Sequence, residues 1–389
     1  MKKYAVVIIF CLLMPVVGCA DGGNSAPQPL PSSYYPSSGE WEKRSVEQLG
    51  FSKEALDKAV AYALANESDI PVDLSQAVGG LASDFPDREL VGPFKERGGP
   101  NGLLVRNGYI VAEWGDTERV DMTFSATKSY LSLTAGLAWD KGLIPDLDEP
   151  VGLLVRDGGF DSEHNQKITW RHLLQQTSEW QGTLFGKNDR ADRRRGVNRE
   201  LQAPGSFYEY NDVRVNRTAL SLLRVWGQNL PSILKTYIMD PIGASDAWEW
   251  HGYTTSWVEE GGKKIQSVSG GGHWGGGMFI NSRDHARMGY LMLRDGVWND
   301  QQLISKEWIK ASTTPSWQKP QYGFMWWLNT SEELLPGAPA NSYMAAGLKG
   351  NAIVWVDPEH DLVLVSRWLN LTEVQELVRL ILGALVEEN

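Results

Sequence analysis

The chain has 389 residues, a formal net charge of −11, and 42% hydrophobic against 22% charged residues. That balance suits a soluble globular body with a sizeable core, and the length allows two or three domains or one large α/β unit. The acidic excess repels a polyanion, which excludes nucleic acid as a partner.

The first stretch, MKKYAVVIIFCLLMPVVGCADGG, places two lysines before an apolar run that ends at a small residue and a cysteine. It is too short and wrongly flanked for a membrane span and reads as a secretory signal. Val16-Val17-Gly18-Cys19 resembles the lipobox of bacterial lipoproteins. That resemblance implies cleavage before Cys19, lipidation of its thiol and, with Ala20 following, an outer-membrane address facing the periplasm or the cell surface. Cys11 would leave with the signal, so the mature body would hold no free thiol for a disulfide, a nucleophile or a metal. Residues 19–40, rich in Pro, Ser and Gly, read as a flexible tether. Residues 41–389 are then one domain, and the membrane is met through the lipid alone.

Along that domain, Phe51–Ser68 has apolar residues at helical spacing with Ser52 as N-cap. GLLVRNGYIVAEWGD gives two β-rich runs around Asn107-Gly108, a hairpin signal. Thr123 or Phe124 ends extended structure, and YLSLTAGLAWDKG continues as a helix to Gly142. From Asp146 to Gly243 the pattern is mostly helical, and a helical insertion of about 146–270 is expected. GGGHWGGGMFI is a glycine-dense turn into a strand, and SRDHARMGYLMLRDG is a helix. YGFMWWLN, GNAIVWVDP and LVLVSRWL read as strands, and TEVQELVRLILGALVEE closes as an amphipathic helix. The order predicts an α+β fold: an antiparallel sheet built from both chain ends, flanked by helices, with an inserted helical subdomain. Most of the 17 tryptophans should pack the core, with a few left to wall a cleft.

The chemistry centres on Ser125 and Lys128. Residues i and i+3 share one helical face, so the hydroxyl and the ammonium are neighbours. Ser232/Lys235 and Ser316/Lys319 repeat the spacing, but only Ser125 follows a hairpin and precedes an apolar helix able to bury its lysine. Without further context, Ser125 reads equally well as a helix cap.

That context comes from three further phrases in order: KITWRHLLQQTSEW, PGSFYEYNDVRVN and AAGLKGNAIVWVDPEHDLVLVS. With the S-x-x-K pair they resemble the serine β-lactamase and penicillin-binding-protein superfamily, in its class-C-like branch of esterases and 6-aminohexanoate-dimer hydrolases. The resemblance runs from about Ser45 to the end. It implies Ser125 as nucleophile, Lys128 as its activator and Tyr210 as a proton carrier. It also implies the backbone N–H groups of Ser125 and Leu348 as oxyanion donors, with Gly347 beside them. A serine hydrolase acting through an acyl-enzyme on a small ester or amide follows, with no cofactor and no metal. A β-lactamase or D-alanyl-D-alanine carboxypeptidase is the alternative within that class, and a non-catalytic cell-wall-binding lipoprotein the alternative outside it.

The chain departs from the pattern in two places. Asp212 stands where penicillin-recognising enzymes carry asparagine; a carboxylate accepts but cannot donate, and beside Lys128 it would hold the lysine charged. The third motif lacks its basic residue, since strand alternation points Lys349 away. Both changes argue against β-lactams. Asp212, Gly347 and, in the glycine-dense turn, His273 are candidate substrate contacts, with Trp274 as a candidate cleft wall. The basic run RADRRRG, Arg190–Gly196, reads as a solvated loop, with a carboxylate-binding rim as the alternative.

Overall fold

The structure is a computed structural model describing residues 34–81 and 87–386. The expected signal peptide, Cys19 and the first part of the tether lie outside the described residues. Among those described, no helix is long and apolar enough to cross a membrane.

The main sheet draws on both halves of the chain, as the sequence predicts. β1 (Asn101–Arg106) and β2 (Tyr109–Trp114) form the hairpin. Its turn, Asn107-Gly108, has φ of 53° and 85°, the two left-handed residues that match strand twist. Far along the chain come β7 (Trp327–Leu328), β8 (Tyr343–Gly347), β9 (Ala352–Asp357) and β10 (Leu362–Arg367). The spatial order is β7-β8-β9-β10-β1-β2, antiparallel throughout. The seam is β10 against β1, paired from Asn101↔Arg367 to Arg106↔Leu362. Both faces are buried, so β9 and β10 read as continuous apolar runs rather than alternating ones.

Helix α1 (Lys53–Ala65), capped by Ser52, packs against α5 (Leu371–Leu382) near the chain end. Helix α4 (Ser282–Leu293) lies on β9 and β10, where Gly289 leaves room for Val354 and Val363. Helix α2 (Thr127–Asp140) is buried at every position from Thr127 to Ala138. A helix buried on all sides sits in the middle of a core, and this one carries Lys128 with it.

The expected insertion needs correction in kind. Its long helix is α3 (Asp212–Trp226); Trp170–Leu174 is a short helix, and Leu230–Leu234 runs on as a π-helix to Met239. Its last part is β structure, a long hairpin of β4 (Glu249–Glu260) and β5 (Lys263–Val268) turning at Gly261-Gly262. Together with β3 (Asp121–Met122) and β6 (Gly277–Ile280) it makes a second antiparallel sheet in the order β3-β6-β4-β5. The Thr, Trp and Val content of YTTSWVEEGGKKIQSV carries that hairpin signal. The YGFMWWLN strand shrinks to two residues, because the chain turns left-handed at Met325.

Candidate active site

Four segments meet at one end of the main sheet. The first is the turn after β3. Phe124 has φ of 49°, a conformation that costs a non-glycine residue about 1–3 kcal/mol. Its ring is fixed among Met122, Phe279 and Trp368, and that packing holds the turn. A single 3₁₀ turn, Phe124–Ala126, then presents Ser125, partly exposed while its neighbours are buried. Thr127 ties the turn to the second sheet: its hydroxyl accepts the Met278 N–H at 2.9 Å.

One turn into the helix, Lys128 donates to Ser125 Oγ at 2.9 Å and to Asp212 Oδ1 at 2.6 Å. The side chains of Lys128 and Asp212 are 1% and 2% exposed, so the pair is dry. Burial alone would push the Lys128 ammonium down. The Asp212 charge and the Tyr210 phenol outweigh it and hold the lysine above its ordinary value. Burial likewise pulls Asp212 up, and Lys128, His273 and Arg194 together bring it below the usual carboxylate range. The ion pair with Asp212 places Lys128 as a donor to the serine oxygen.

The second segment precedes α3. Tyr210 lies with its ring centroid 4.5 Å from Lys128 Nζ, stacked on Trp327 and edge-on to Tyr322. Asn211 caps the helix, accepting the Arg214 N–H at 3.1 Å and donating to the Asp189 carbonyl at 2.8 Å. Asp212 follows as first helical residue, where a carboxylate meets the positive end of the dipole. Its own N–H donates to Asp192 Oδ2 at 2.6 Å. Asp192, 0% exposed, also takes Arg194 Nε at 3.0 Å and lies 3.5 Å from His273 Nδ1.

The glycine-dense turn is the third segment. His273 N–H donates to Asp212 Oδ2 at 3.1 Å, so both oxygens of that carboxylate are occupied. Gly271 runs directly beneath the Lys128–Asp212 pair, and a Cβ there would collide with both groups. Gly271→Ala is expected to destabilise the protein by about 1–3 kcal/mol, the usual cost of overpacking, and to slow any turnover at this site at least about tenfold. Thermal melts and steady-state rates check it; wild-type values for both would show that the pair tolerates displacement.

The end of β8 completes the site. Gly347 lies so close to the Thr123 carbonyl that no side chain fits. Leu348 and Lys349 then turn left-handed, with φ of 29° and 55°. Ser125, Gly347 and Leu348 line one cleft of about 700 Å³ with Tyr210, Asp212 and His273.

The structure thus brings together Ser125, Lys128, Tyr210, Asp212, His273, Gly347 and Leu348. It corrects four expectations. Trp274 is no cleft wall: it is fully buried, donates to the Asp87 carbonyl at 2.9 Å, and packs under His273 and against Tyr253. Asp212 is committed to internal partners rather than to a substrate. Lys349 belongs to the cleft lining, because the strand ends at Gly347 and alternation no longer governs it. The basic run is a solvated loop only in part: Arg190, Arg194 and Arg195 are exposed, the last two at the cleft, while Arg193 is buried against Asp189. Sequence reasoning missed Asp192 altogether, because its acid sits inside a run dominated by arginine; the D-R-A-D-R alternation is the one trace of it.

Residues 102–370 match the family model Beta-lactamase, more than two thirds of the chain. The chain belongs to the beta-lactamase family. Within that family's fold it is a serine hydrolase. An uncharacterized protein of Alkalihalophilus pseudofirmus is 25% identical over 305 residues, 69% of this chain and 82% of the relative. Among solved structures, a penicillin-binding-protein homologue from Caulobacter crescentus superposes with a TM-score of 0.55 at 15% identity. The match covers 80% of this chain and 96% of that one. EstCE1, a hydrolase with promiscuous acyltransferase activity, gives a TM-score of 0.54 at 15% identity over 84% and 98%. At such identities these two structures establish the beta-lactamase fold and nothing finer.

Proposed function

We propose that this beta-lactamase-family chain hydrolyses a small ester or amide through a covalent acyl-enzyme on Ser125. The observation that carries the reading is Ser125 Oγ, partly exposed at the cleft and 2.9 Å from an ammonium fixed by a buried carboxylate. In the proposed cycle Ser125 Oγ attacks the substrate carbonyl carbon while its proton moves to the Tyr210 oxygen and the phenol gives its own proton to the leaving group. The Lys128 charge offsets the negative charge gathering on the serine oxygen, and the backbone N–H groups of Ser125 and Leu348 receive the oxyanion. The bond from the carbonyl carbon to the departing alcohol or amine breaks as it takes the proton, which leaves the acyl-enzyme. Water then enters along the same path and releases the acid, restoring Ser125.

The internal commitment of Asp212 favours simple esters and amides over β-lactams, since no amide NH₂ is offered at that position. The sequence further supports export and a lipid on Cys19 as the setting of this activity. The deciding experiment is active-site labelling. The protein is treated with a fluorophosphonate and digested, and the adduct is mapped by mass spectrometry. The expected result is one adduct, on Ser125, with turnover of 4-nitrophenyl acetate lost in proportion. An unlabelled, inactive protein would make this a binding module, and brisk cleavage of nitrocefin would restore the β-lactamase reading.

A further inference from the structure

Two cations lie against the Tyr210 ring. Lys128 Nζ is 4.5 Å from its centroid and the Arg194 guanidinium 4.8 Å. Each cation is fixed by a carboxylate shut off from water. Lys128 has Asp212. Arg194 has Asp192, 0% exposed, whose two oxygens take Nε at 3.0 Å and Nη2 at 3.4 Å. The two ion pairs come from different segments and are tied together. Asp192 Oδ2 accepts the Asp212 N–H at 2.6 Å. His273 reaches both acids, with its N–H on Asp212 Oδ2 at 3.1 Å and its Nδ1 3.5 Å from Asp192. The Arg194 main chain is held as well: its N–H donates at 3.0 Å to Oε1 of Glu209, the residue before Tyr210.

A carboxylate out of water is stable only where its charge is met, so Asp192 commits Arg194 to this spot. The arginine side chain is itself 41% exposed and lines the cleft, so burial of its own surface is not what holds it. What lies against it is the Tyr210 ring. In the proposed relay the phenol gains negative charge when its proton leaves for the departing group ahead of the one arriving from Ser125. A guanidinium at the ring is attracted more strongly to that state than to the resting phenol, and only such a difference lowers a barrier.

Resting on the acyl-enzyme reading, we infer that Arg194, held by Asp192, is a positioning residue of the reaction: it fixes the Tyr210 ring and offsets the charge that the phenol gains while it relays the proton. No bond to Arg194 forms or breaks. The Asp192–Arg194 pair serves the phenol as the Asp212–Lys128 pair serves the serine.

Two esters and a double-variant cycle test it. Phenyl acetate needs proton delivery to its leaving group more than 4-nitrophenyl acetate does. Arg194→Gln is expected to lower kcat/KM on phenyl acetate by about fivefold to thirtyfold, the worth of one cation at an aromatic ring, and to lower it less on 4-nitrophenyl acetate. Arg194→Lys keeps the charge and should restore part of the loss. In the Tyr210→Phe background, with enzyme in excess and phenol release followed, the same Arg194→Gln change should cost less than about twofold, because the hydroxyl it serves is gone. Arg194→Gln leaves Asp192 without its cation, so Asp192→Asn/Arg194→Gln is made beside it. Circular dichroism should find that double variant folded, with the rates of Arg194→Gln. A loss under about fivefold on phenyl acetate, an equal loss on both esters, or the same loss with and without the Tyr210 hydroxyl would overturn the inference. In each of those cases the Ser125 adduct leaves the acyl-enzyme reading standing. No adduct and no ester turnover in the wild type would sink that reading, and this inference with it.

Discussion

Lys128→Met is expected to lower ester turnover about 10⁴-fold and to destabilise the fold by about 3–5 kcal/mol. The two losses have different origins. Activity falls because Ser125 Oγ loses the ammonium that offsets its developing charge. Stability falls because the Asp212 carboxylate, 2% exposed, is left in a dry site without its cation. The double variant Lys128→Met/Asp212→Leu separates them. With the orphaned charge gone, chemical denaturation should recover most of the stability while turnover stays at the single-variant level. If the double variant is as unstable as the single, the pair is not what the fold depends on. The pH dependence follows from the same pair. Asp212 is depressed in the folded chain, so its contribution is present above the unfolded carboxylate value and lost as pH falls through the folded one. Lys128 is raised, so its contribution is present below the unfolded lysine value and lost as pH rises through the folded one. The wild type should therefore show a stability plateau across neutral pH that the double variant lacks at its edges.

What the sequence makes legible here is what local chemistry decides. The Asn107-Gly108 hairpin, the Ser52 cap and the Ser125/Lys128 face depend on residues a few positions apart, and each is found where the spacing predicts it. The seam of β10 against β1 was legible only through the order of the elements, because nothing in either strand names its partner. Elements set by distant contacts were read less well. The hairpin from Glu249 to Val268 was absorbed into a helical insertion, because its alternation is broken by a register shift between Gly252 and Trp257. Lys349 was assigned by strand periodicity two residues beyond the strand's end. Composition alone cannot show that Asp189 draws Arg193 inward out of the arginine run. Trp274 failed for a related reason. A ring beside a glycine turn can face either side, and the carbonyl of Asp87 takes its N–H on the buried one.

With Lys128 engaged by Asp212 at 2.6 Å, the proposed carrier of the Ser125 proton is Tyr210, whose ring centroid lies 4.5 Å from Lys128 Nζ. Tyr210→Phe is accordingly expected to cost about 10²–10⁴-fold in kcat, the range for a positioned proton carrier. The ring should stay where it is, because its stacking on Trp327 and edge contact with Tyr322 do not involve the hydroxyl. Melting should therefore move by about 1 kcal/mol or less. The decisive reading is the split between steps. A fluorophosphonate is more reactive than an ester, so the variant should still label at Ser125, though slowly. Turnover of 4-nitrophenyl acetate should collapse in both acylation and deacylation, because the same phenol serves both. A variant that retains kcat while KM rises would make Tyr210 a wall of the cleft. The proton would then have to leave through Lys128, which would require the lysine to give up its charge to Asp212 before each attack.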